Sequence, residues 1–336
     1  MIELQNVTKS FEDGTKAVDG LSFYIQEGET FGLIGTSGCG KTTTLRMINR
    51  LVEPTSGTIK INGRVSTSRD HEKLRRQIGY VIQDVGLFPH YSVQQNIATV
   101  PELLEWDERR IASRGKELLQ MVGLNPETYA ERKPEALSGG QQQRVGLARA
   151  LAADPPILLM DEPFGALDPI TKQQIRKEVG SLFKKLEKTI MLVTHDVLEA
   201  FEFCDRVCLL DKGKLQQIGT PQELLFNPRN DFVNSFFASD RFQLELLSIE
   251  IADILEIREQ SELYWSPPLK EDGGQNTIES SQSLYHTVEE MEQSRHENLA
   301  IIHRINGQVI DSLSFTDLLD HFQQYKRRLK ERGENG

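Results

Sequence analysis

The feature that most constrains the fold of this chain is a glycine-rich run between an apolar segment and a helical pattern. Residues 35–42 read Gly-Thr-Ser-Gly-Cys-Gly-Lys-Thr, which matches the phosphate-binding pattern G-x-x-x-x-G-K-[ST]. The preceding residues 30–34 form a short apolar β-type run, and residues 42–51 carry apolar side chains at helical spacing. Strand, glycine loop and helix in this order predict a nucleotide-binding α/β fold.

Each part of this loop has a physical reason to contact a nucleotide. Glycines let backbone N–H groups approach phosphate oxygens, and the helix start adds partial positive charge. We expect Lys41 to reach the β- and γ-phosphates of ATP, and the Thr42 hydroxyl to bind Mg²⁺. The predicted ATP-binding residues of the loop are Gly35, Thr36, Ser37, Gly38, Cys39, Gly40, Lys41, Thr42 and Thr43.

A pair of acidic residues forms the second candidate element. Residues 157–160 read as a buried strand, and Asp161 and Glu162 follow at its carboxyl end, where parallel sheets have their ligand crevice. Asp161 is expected to hold Mg²⁺ through water, and Glu162 to polarise the attacking water. Two acids after an apolar run are common, so this interpretation depends on the phosphate loop upstream.

Residues 1–239 resemble the ATPase domain of ATP-binding-cassette (ABC) transporters. Residues 137–141 read Leu-Ser-Gly-Gly-Gln, the signature of that family, and they precede a helical pattern. The resemblance implies an α/β P-loop NTPase fold with a RecA-like core, a β-subdomain and a helical subdomain at about residues 84–140. It also implies that the signature binds ATP held by a second cassette, so we expect a homodimer. Its predicted ATP-binding residues are Ser138, Gly139, Gly140 and Gln141.

Four further positions match the family in order along the chain. The resemblance gives Phe11 the role of the aromatic that stacks on adenine, and Gln83 that of the glutamine linking the metal site to the membrane subunit. It gives Asp168 a contact with the opposite cassette, and His195 a contact with the γ-phosphate. The predicted catalytic residues are Lys41, Gln83, Glu162 and His195. The predicted metal ligands are Thr42, Gln83 and, through water, Asp161.

The cargo class rests on resemblance alone. Residues 86–93 and 100–106 are most similar to importers of osmoprotectants and quaternary amines such as glycine betaine, carnitine and choline. Because no residue of an ATPase subunit contacts the cargo, an importer of amino acids or other small solutes is one alternative. A non-transport ABC ATPase is another, although that class usually fuses two cassettes or carries coiled-coil insertions. The implied partners are a membrane permease and, indirectly, an extracytoplasmic substrate-binding protein.

Charge and hydropathy bound the setting of the protein. No run approaches the ~18 apolar residues of a membrane span, and the sequence starts without a signal-peptide pattern. We therefore do not expect this chain to cross a membrane, and the resemblance to transporter ATPases implies a peripheral position at the cytoplasmic face. Residues 1–239 carry 29 basic and 31 acidic residues, whereas residues 240–336 carry 10 and 19. This balance disfavours nucleic acid as a partner and predicts a domain boundary near residue 240.

Residues 240–336 are predicted to form a small α+β regulatory or dimerisation domain. A helical pattern from Leu284, strands at residues 299–302 and 309–313, and a following helix resemble a single CBS motif at about residues 247–323. One such repeat leaves an apolar sheet face uncovered, so we expect two chains to pair their repeats.

Two features of this domain suggest regulation. Ser314 and Asp317 match the adenosine-nucleotide positions of the CBS family and are candidate regulatory residues, although Asp311 stands where relatives usually have glycine and would repel a phosphate. Asn306-Gly307 is a predicted hairpin turn. The basic tail at residues 326–332 is a candidate contact for anionic lipid, with a solvated helix end as the alternative.

Overall fold

The computed structural model contains two compact units, residues 1–218 and 219–336. It describes residues 1–68, 70–83, 85–165, 167–168, 172, 176, 179–180, 182–183, 186–260, 277–294, 298–302 and 309–334. The division comes earlier than the predicted boundary near residue 240, because helix Pro221–Phe226 packs against later helices of the second unit. Among the described residues, no helix combines the length and the apolarity that crossing a bilayer demands.

Two sheets organise the first unit. Its strands are β1 (Ile2–Ser10), β2 (Lys16–Ile25), β3 (Thr30–Gly35), β4 (Ser56–Ile61), β5 (Arg64–Val65), β6 (Ile78–Val81), β7 (Ile157–Asp161), β8 (Thr189–Val193), β9 (Arg206–Asp211) and β10 (Lys214–Gly219). The larger sheet has the order β10-β9-β3-β8-β7-β6, and the smaller antiparallel sheet has the order β2-β1-β4-β5. In the larger sheet, β9, β3, β8, β7 and β6 run parallel.

Helices connect these strands, and those between residues 93 and 129 lie within the range predicted for the helical subdomain. They are α1 (Lys41–Ile48), α2 (His71–Arg75), α3 (Val93–Leu103), α4 (Glu108–Met121), α5 (Pro126–Tyr129), α6 (Gly139–Leu151) and α7 (Val197–Phe203). Helices α3 to α6 each start after a serine, aspartate or asparagine whose side chain accepts a hydrogen bond from a backbone N–H of the first turn. Because these caps satisfy otherwise unpaired donors, they explain where the helices begin.

The parallel strands place polar residues at one edge of the larger sheet. Every residue of β3, β7 and β8 is buried, as expected for strands covered on both faces. In the register of the sheet, Asp161 lies beside Val193, and Met160 lies beside Val81. The residues that follow these strands therefore meet where β6, β7 and β8 end.

The second unit contains helices and a small sheet. Its helices are α8 (Pro221–Phe226), α9 (Asp231–Phe236), α10 (Arg241–Ser248), α11 (Ile251–Gln260), α12 (Leu284–Ser294) and α13 (Phe315–Glu334). Its strands are β11 (Thr277–Glu279), β12 (Asn298–Ile302) and β13 (Val309–Ser314), with β11 parallel and β13 antiparallel to β12. The helix predicted from Leu284 and both predicted strands are confirmed, whereas the Asn306-Gly307 turn lies outside the described residues.

Candidate ATPase site

The phosphate loop joins β3 to α1 and requires glycine at two points. Gly38 has a φ of 75° and Gly40 a φ of 101°, conformations that L side chains rarely adopt. A Cβ atom at Gly40 would lie 2.3 Å from the carbonyl oxygen of Ala17, whereas one at Gly38 would meet nothing within 4 Å. The loop is therefore packed where it enters the helix and open at its apex, where a phosphate would lie.

Lys41 is held beneath this loop. Its side chain is buried, and Nζ donates to the carbonyl oxygens of Gly35 at 2.9 Å and Thr36 at 3.1 Å. The Sγ atom of Cys39 lies 3.9 Å from the same nitrogen. Burial raises the pKa of the Cys39 thiol despite the opposing charge of Lys41, which disfavours the reactive thiolate form.

Thr42 and Asp161 form an oxygen-rich pair suited to Mg²⁺. The Thr42 hydroxyl donates to Asp161 Oδ1 at 2.8 Å, and only 3% of Asp161 is exposed. Burial raises the pKa of Asp161, while the Thr42 hydrogen bond and the charge of Arg46 act in the opposite direction. No group of three or more His, Cys, Asp or Glu suited to a metal occurs among the described residues. Mg²⁺ sites of nucleotide enzymes use one or two protein ligands plus phosphates, so these two oxygen donors fit.

Glu162 lies beside two of the other predicted catalytic residues, His195 and Gln83. Its Oε2 atom lies 3.0 Å from His195 Nδ1 and 3.4 Å from Gln83 Nε2. Its backbone has a φ of 46°, and its N–H donates to the Val193 carbonyl at 2.8 Å. A non-glycine residue held in the left-handed region often marks a functional site, since the surrounding structure must maintain the strain.

The signature segment begins helix α6 with a reciprocal cap. Ser138 Oγ accepts from the Gln141 N–H at 3.3 Å, and Gln141 Oε1 accepts from the Ser138 N–H at 3.0 Å. The Gln141 amide also donates to the Tyr129 hydroxyl at 3.2 Å. Ser138 and Gly139 are exposed, so this helix start is accessible to a second molecule.

Phe11 and Asp168 lie at the surface. Phe11 follows β1, is 44% exposed, and has the Lys9 ammonium 5.3 Å from its ring centre. Such an exposed ring is available for stacking on a base. Asp168 is also exposed, and its carbonyl oxygen accepts from the Lys172 N–H at 2.8 Å. The structure thus assembles the groups around Glu162 and leaves both of these side chains facing outward.

Asp211 is a loop contact that the sequence reasoning missed. Its Oδ1 atom accepts from the Thr36 hydroxyl at 2.9 Å. Asp211 ends β9, the neighbour of β3, and follows the buried apolar residues 207–210. The strand-end pattern that singled out Asp161 would also have found it.

Ser314 and Asp317 hydrogen-bond to each other at the start of α13. Ser314 Oγ donates to Asp317 Oδ2 at 2.7 Å and accepts from the Asp317 N–H at 3.1 Å. This is a helix cap in which the carboxylate lies against the positive end of the helix. The cap accounts for the spacing of the pair, and a nucleotide role stays a prediction.

Comparisons with known proteins identify the family. The ABC transporter family model matches residues 18–165. The glycine betaine/carnitine/choline transport ATP-binding protein OpuCA of Bacillus subtilis is 45% identical over 306 residues, 91% of this chain and 76% of that protein. The chain belongs to the ABC transporter ATP-binding family. The prediction from the phosphate loop and the signature is confirmed, and the protein is an ATPase of the ABC type.

Two further matches extend this result. The osmoprotectant import ATP-binding protein OsmV of Salmonella typhimurium is 47% identical to this ABC ATPase over 275 residues, 81% of this chain and 72% of that protein. A dimeric, post-hydrolysis structure of the ATP-binding cassette MJ0796, bound to ADP and Pi, matches with a TM-score of 0.59 and 36% identity. That match covers 66% of this chain and 98% of the cassette. The predicted P-loop fold is therefore confirmed.

Proposed function

We propose that this ABC ATPase energises the import of an osmoprotectant of the quaternary-amine class through a separate membrane permease. The observation that carries the proposal is the extent of the similarity to OpuCA. It covers 306 residues, which is longer than the predicted cassette of residues 1–239 and so includes part of the second unit. A cassette shared by all ABC ATPases would not by itself favour one cargo, whereas this extension does.

The hydrolytic step follows from the geometry around Glu162. The glycine loop and Lys41 would hold the phosphates. Thr42, and Asp161 through water, would hold a Mg²⁺ ion whose charge offsets that of the phosphates. Glu162 then accepts a proton from the attacking water. His195 and Gln83 restrain the carboxylate, because their side-chain nitrogens lie within 3.4 Å of Glu162 Oε2.

The working unit in this proposal is a homodimer. Exposure of Ser138 and Gly139 supports it, because the signature must reach ATP bound to another chain. The MJ0796 cassette is dimeric in its solved structure. Asp168 would contact the opposite cassette, and Phe11 would stack on the adenine held by its own loop.

The remaining partners follow from the transporter role. The permease would contact the surface near Gln83 and the helical subdomain at residues 84–140, which places the protein peripherally at the cytoplasmic face. A substrate-binding protein would act indirectly. Residues 240–336 would serve regulation or dimerisation. The basic tail at residues 326–332 would be the contact for anionic lipid, and within it the Lys326 ammonium also pairs with Glu245 at 2.5 Å.

Hydrolysis is tested first with the purified full-length protein. Glu162→Gln should lower kcat by about 10²- to 10⁴-fold, the range for loss of a general base. ATP binding should survive, since Glu162 is not part of the phosphate loop, and the variant should form ATP-stabilised dimers in light scattering. Wild-type activity in the variant would contradict the assigned role.

Cargo is tested in a strain that lacks the gene. Uptake of labelled glycine betaine, carnitine and choline is measured at high osmolarity after complementation with the wild type or Glu162→Gln. We expect wild-type complementation alone to restore uptake of at least one quaternary amine. Labelled amino acids are the control, and restoration of amino-acid uptake alone would reject the proposed cargo class.

A further inference from the structure

A cluster of charged and polar side chains surrounds the segment that contains His195. Lys172 Nζ lies 2.7 Å from Asp196 Oδ2 and 2.7 Å from Glu199 Oε1. The Glu199 side chain is only 2% exposed, and its other oxygen accepts from the Thr194 hydroxyl at 2.5 Å. Burial raises the pKa of Glu199, and Lys172 opposes that effect. Lys172 is therefore a cation that compensates a carboxylate withdrawn from water.

This cluster holds the backbone on both sides of His195. Thr194 donates to the buried carboxylate and at the same time accepts from the Asp196 N–H at 3.0 Å. Asp196 caps helix α7 with Oδ1 and receives the Lys172 ammonium on Oδ2. Both neighbours of His195 are thus anchored to groups that Lys172 holds, and His195 Nδ1 lies 3.0 Å from Glu162 Oε2.

Lys172 also belongs to the segment that follows Asp168, because its N–H donates to the Asp168 carbonyl at 2.8 Å. We propose that Lys172 is a positioning residue for ATP hydrolysis. It holds residues 194–196 so that His195 stays against Glu162, and it links them to Asp168, which in the proposed dimer contacts the second cassette. This inference rests on the proposed hydrolysis at Glu162.

The chain offers a matched control for this role. Arg176, four residues after Lys172, pairs with Glu202 on α7, with Nε 3.0 Å from Oε2. The two cations are similarly buried, with side-chain exposures of 19% for Lys172 and 15% for Arg176. The Arg176 pair joins the same two segments, but its partner Glu202 lies further along the chain from His195 than Asp196 and Glu199 do. Loss of packing or charge alone would affect both variants alike.

The test is steady-state ATP hydrolysis by the purified full-length protein across ATP concentrations. Lys172→Met should lower kcat about tenfold or more and change KM less than about twofold, since the effect is on the catalytic step. Arg176→Met should keep kcat within about twofold of wild type, and Lys172→Arg should recover most of the activity. In a His195→Ala background, Lys172→Met should lower kcat by less than about twofold, because it acts through His195.

Two results would overturn the proposal. One is an equal loss of kcat in Lys172→Met and Arg176→Met, and the other is an undiminished effect of Lys172→Met in the His195→Ala background. If Lys172→Met folds poorly, Thr194→Val removes the hydroxyl with little change of shape and should show the same selective loss of kcat. Failure of the proposed function looks different, because wild type and Glu162→Gln would then hydrolyse ATP at equal rates.

Discussion

Two buried carboxylates, one in each unit, differ in whether a cation pairs with them directly. Asp161 in the first unit is 3% exposed, accepts from the neutral Thr42 hydroxyl, and has a pKa that burial raises. Glu245 in the second unit is 2% exposed and is paired with two cations, Arg241 at 3.0 Å and Lys326 at 2.5 Å. The first carboxylate is kept available for a ligand, whereas the second is neutralised by its own unit.

The difference shows how buried charge can be divided between function and stability. A site that binds Mg²⁺ must keep negative charge in a buried place before the ion arrives, and the free protein is less stable for it. A structural carboxylate is surrounded by cations, and its removal leaves those cations unpaired. Replacing Asp161 by its amide should therefore lower activity and raise stability. Replacing Glu245 by its amide should lower stability and leave activity unchanged.

The largest effect is expected for Asp161→Asn. The amide keeps the shape and the Thr42 hydrogen bond but removes the charge that holds Mg²⁺, so kcat should fall by about 100-fold or more. A titration of ATPase activity against Mg²⁺ checks this, with a higher Mg²⁺ requirement in the variant. Unchanged Mg²⁺ dependence would remove Asp161 from the metal site.

The same variant should be more stable than wild type at neutral pH. Because the pKa of Asp161 is higher in the folded protein than its usual 3.8, the ionised carboxylate destabilises the fold above the folded-state pKa. This penalty fades as the pH falls through that pKa and is absent below 3.8. Thermal unfolding without nucleotide or Mg²⁺ should show a higher Tm for Asp161→Asn at pH 7, and the difference should shrink as the pH is lowered. A lower Tm at pH 7 would contradict the strained-carboxylate interpretation.

A smaller effect on activity is expected for Gln141→Glu, which extends the contrast to helix starts. The signature helix has neutral Gln141 in its cap, whereas α13 has Asp317 in the corresponding place. A carboxylate at residue 141 keeps the cap but would repel the γ-phosphate of the second cassette, lowering kcat by about tenfold or more.

The control for Gln141→Glu is Gln95→Glu. Ser92 and Gln95 form the same cap at the start of α3. Gln95→Glu should leave ATP hydrolysis by the purified protein within about twofold of wild type. Equal loss in both variants would show that the cap chemistry, rather than phosphate contact at the signature, explains the result.

The smallest change is expected for Glu245→Gln. It leaves Arg241 and Lys326 without their shared anion, and both cations keep some solvent contact, so we expect about 1–3 kcal/mol of destabilisation. ATP hydrolysis should stay within about twofold of wild type because Glu245 lies in the second unit. Urea unfolding measures the first effect. A more stable variant would show that the Glu245 carboxylate, like that of Asp161, destabilises the fold.

The sequence predicted those parts of the fold and of the site that are contiguous in the chain. The strand, loop and helix around Lys41 are confirmed, because a glycine pattern and two apolar runs specify them locally. The strand-end argument placed Asp161 and Glu162 correctly at the end of β7. The boundary predicted near residue 240 differs from the division after Ile218. The prediction used the distribution of charge along the chain, which carries no information on the tertiary contacts that place helix α8 in the second unit.

Interactions between distant segments could not be predicted in this way. In the sequence, Lys172 and Glu199 cannot be distinguished from other charged surface residues. Only the fold brings them together and buries the Glu199 side chain. The φ of 46° at Glu162 also has no signal in the local sequence. Asp211 is intermediate: its strand-end pattern was readable, but its bond to Thr36 depends on the order of strands in the sheet.

The exposed start of α6 has a consequence for ATP consumption in the cell. If each molecule supplies half of two shared pockets, the rate per molecule rises with its concentration. Scattered copies would then consume little ATP, and turnover would begin where a permease brings two copies together. Isolated molecules would then save ATP because each one lacks half of the pocket, without any inhibitor.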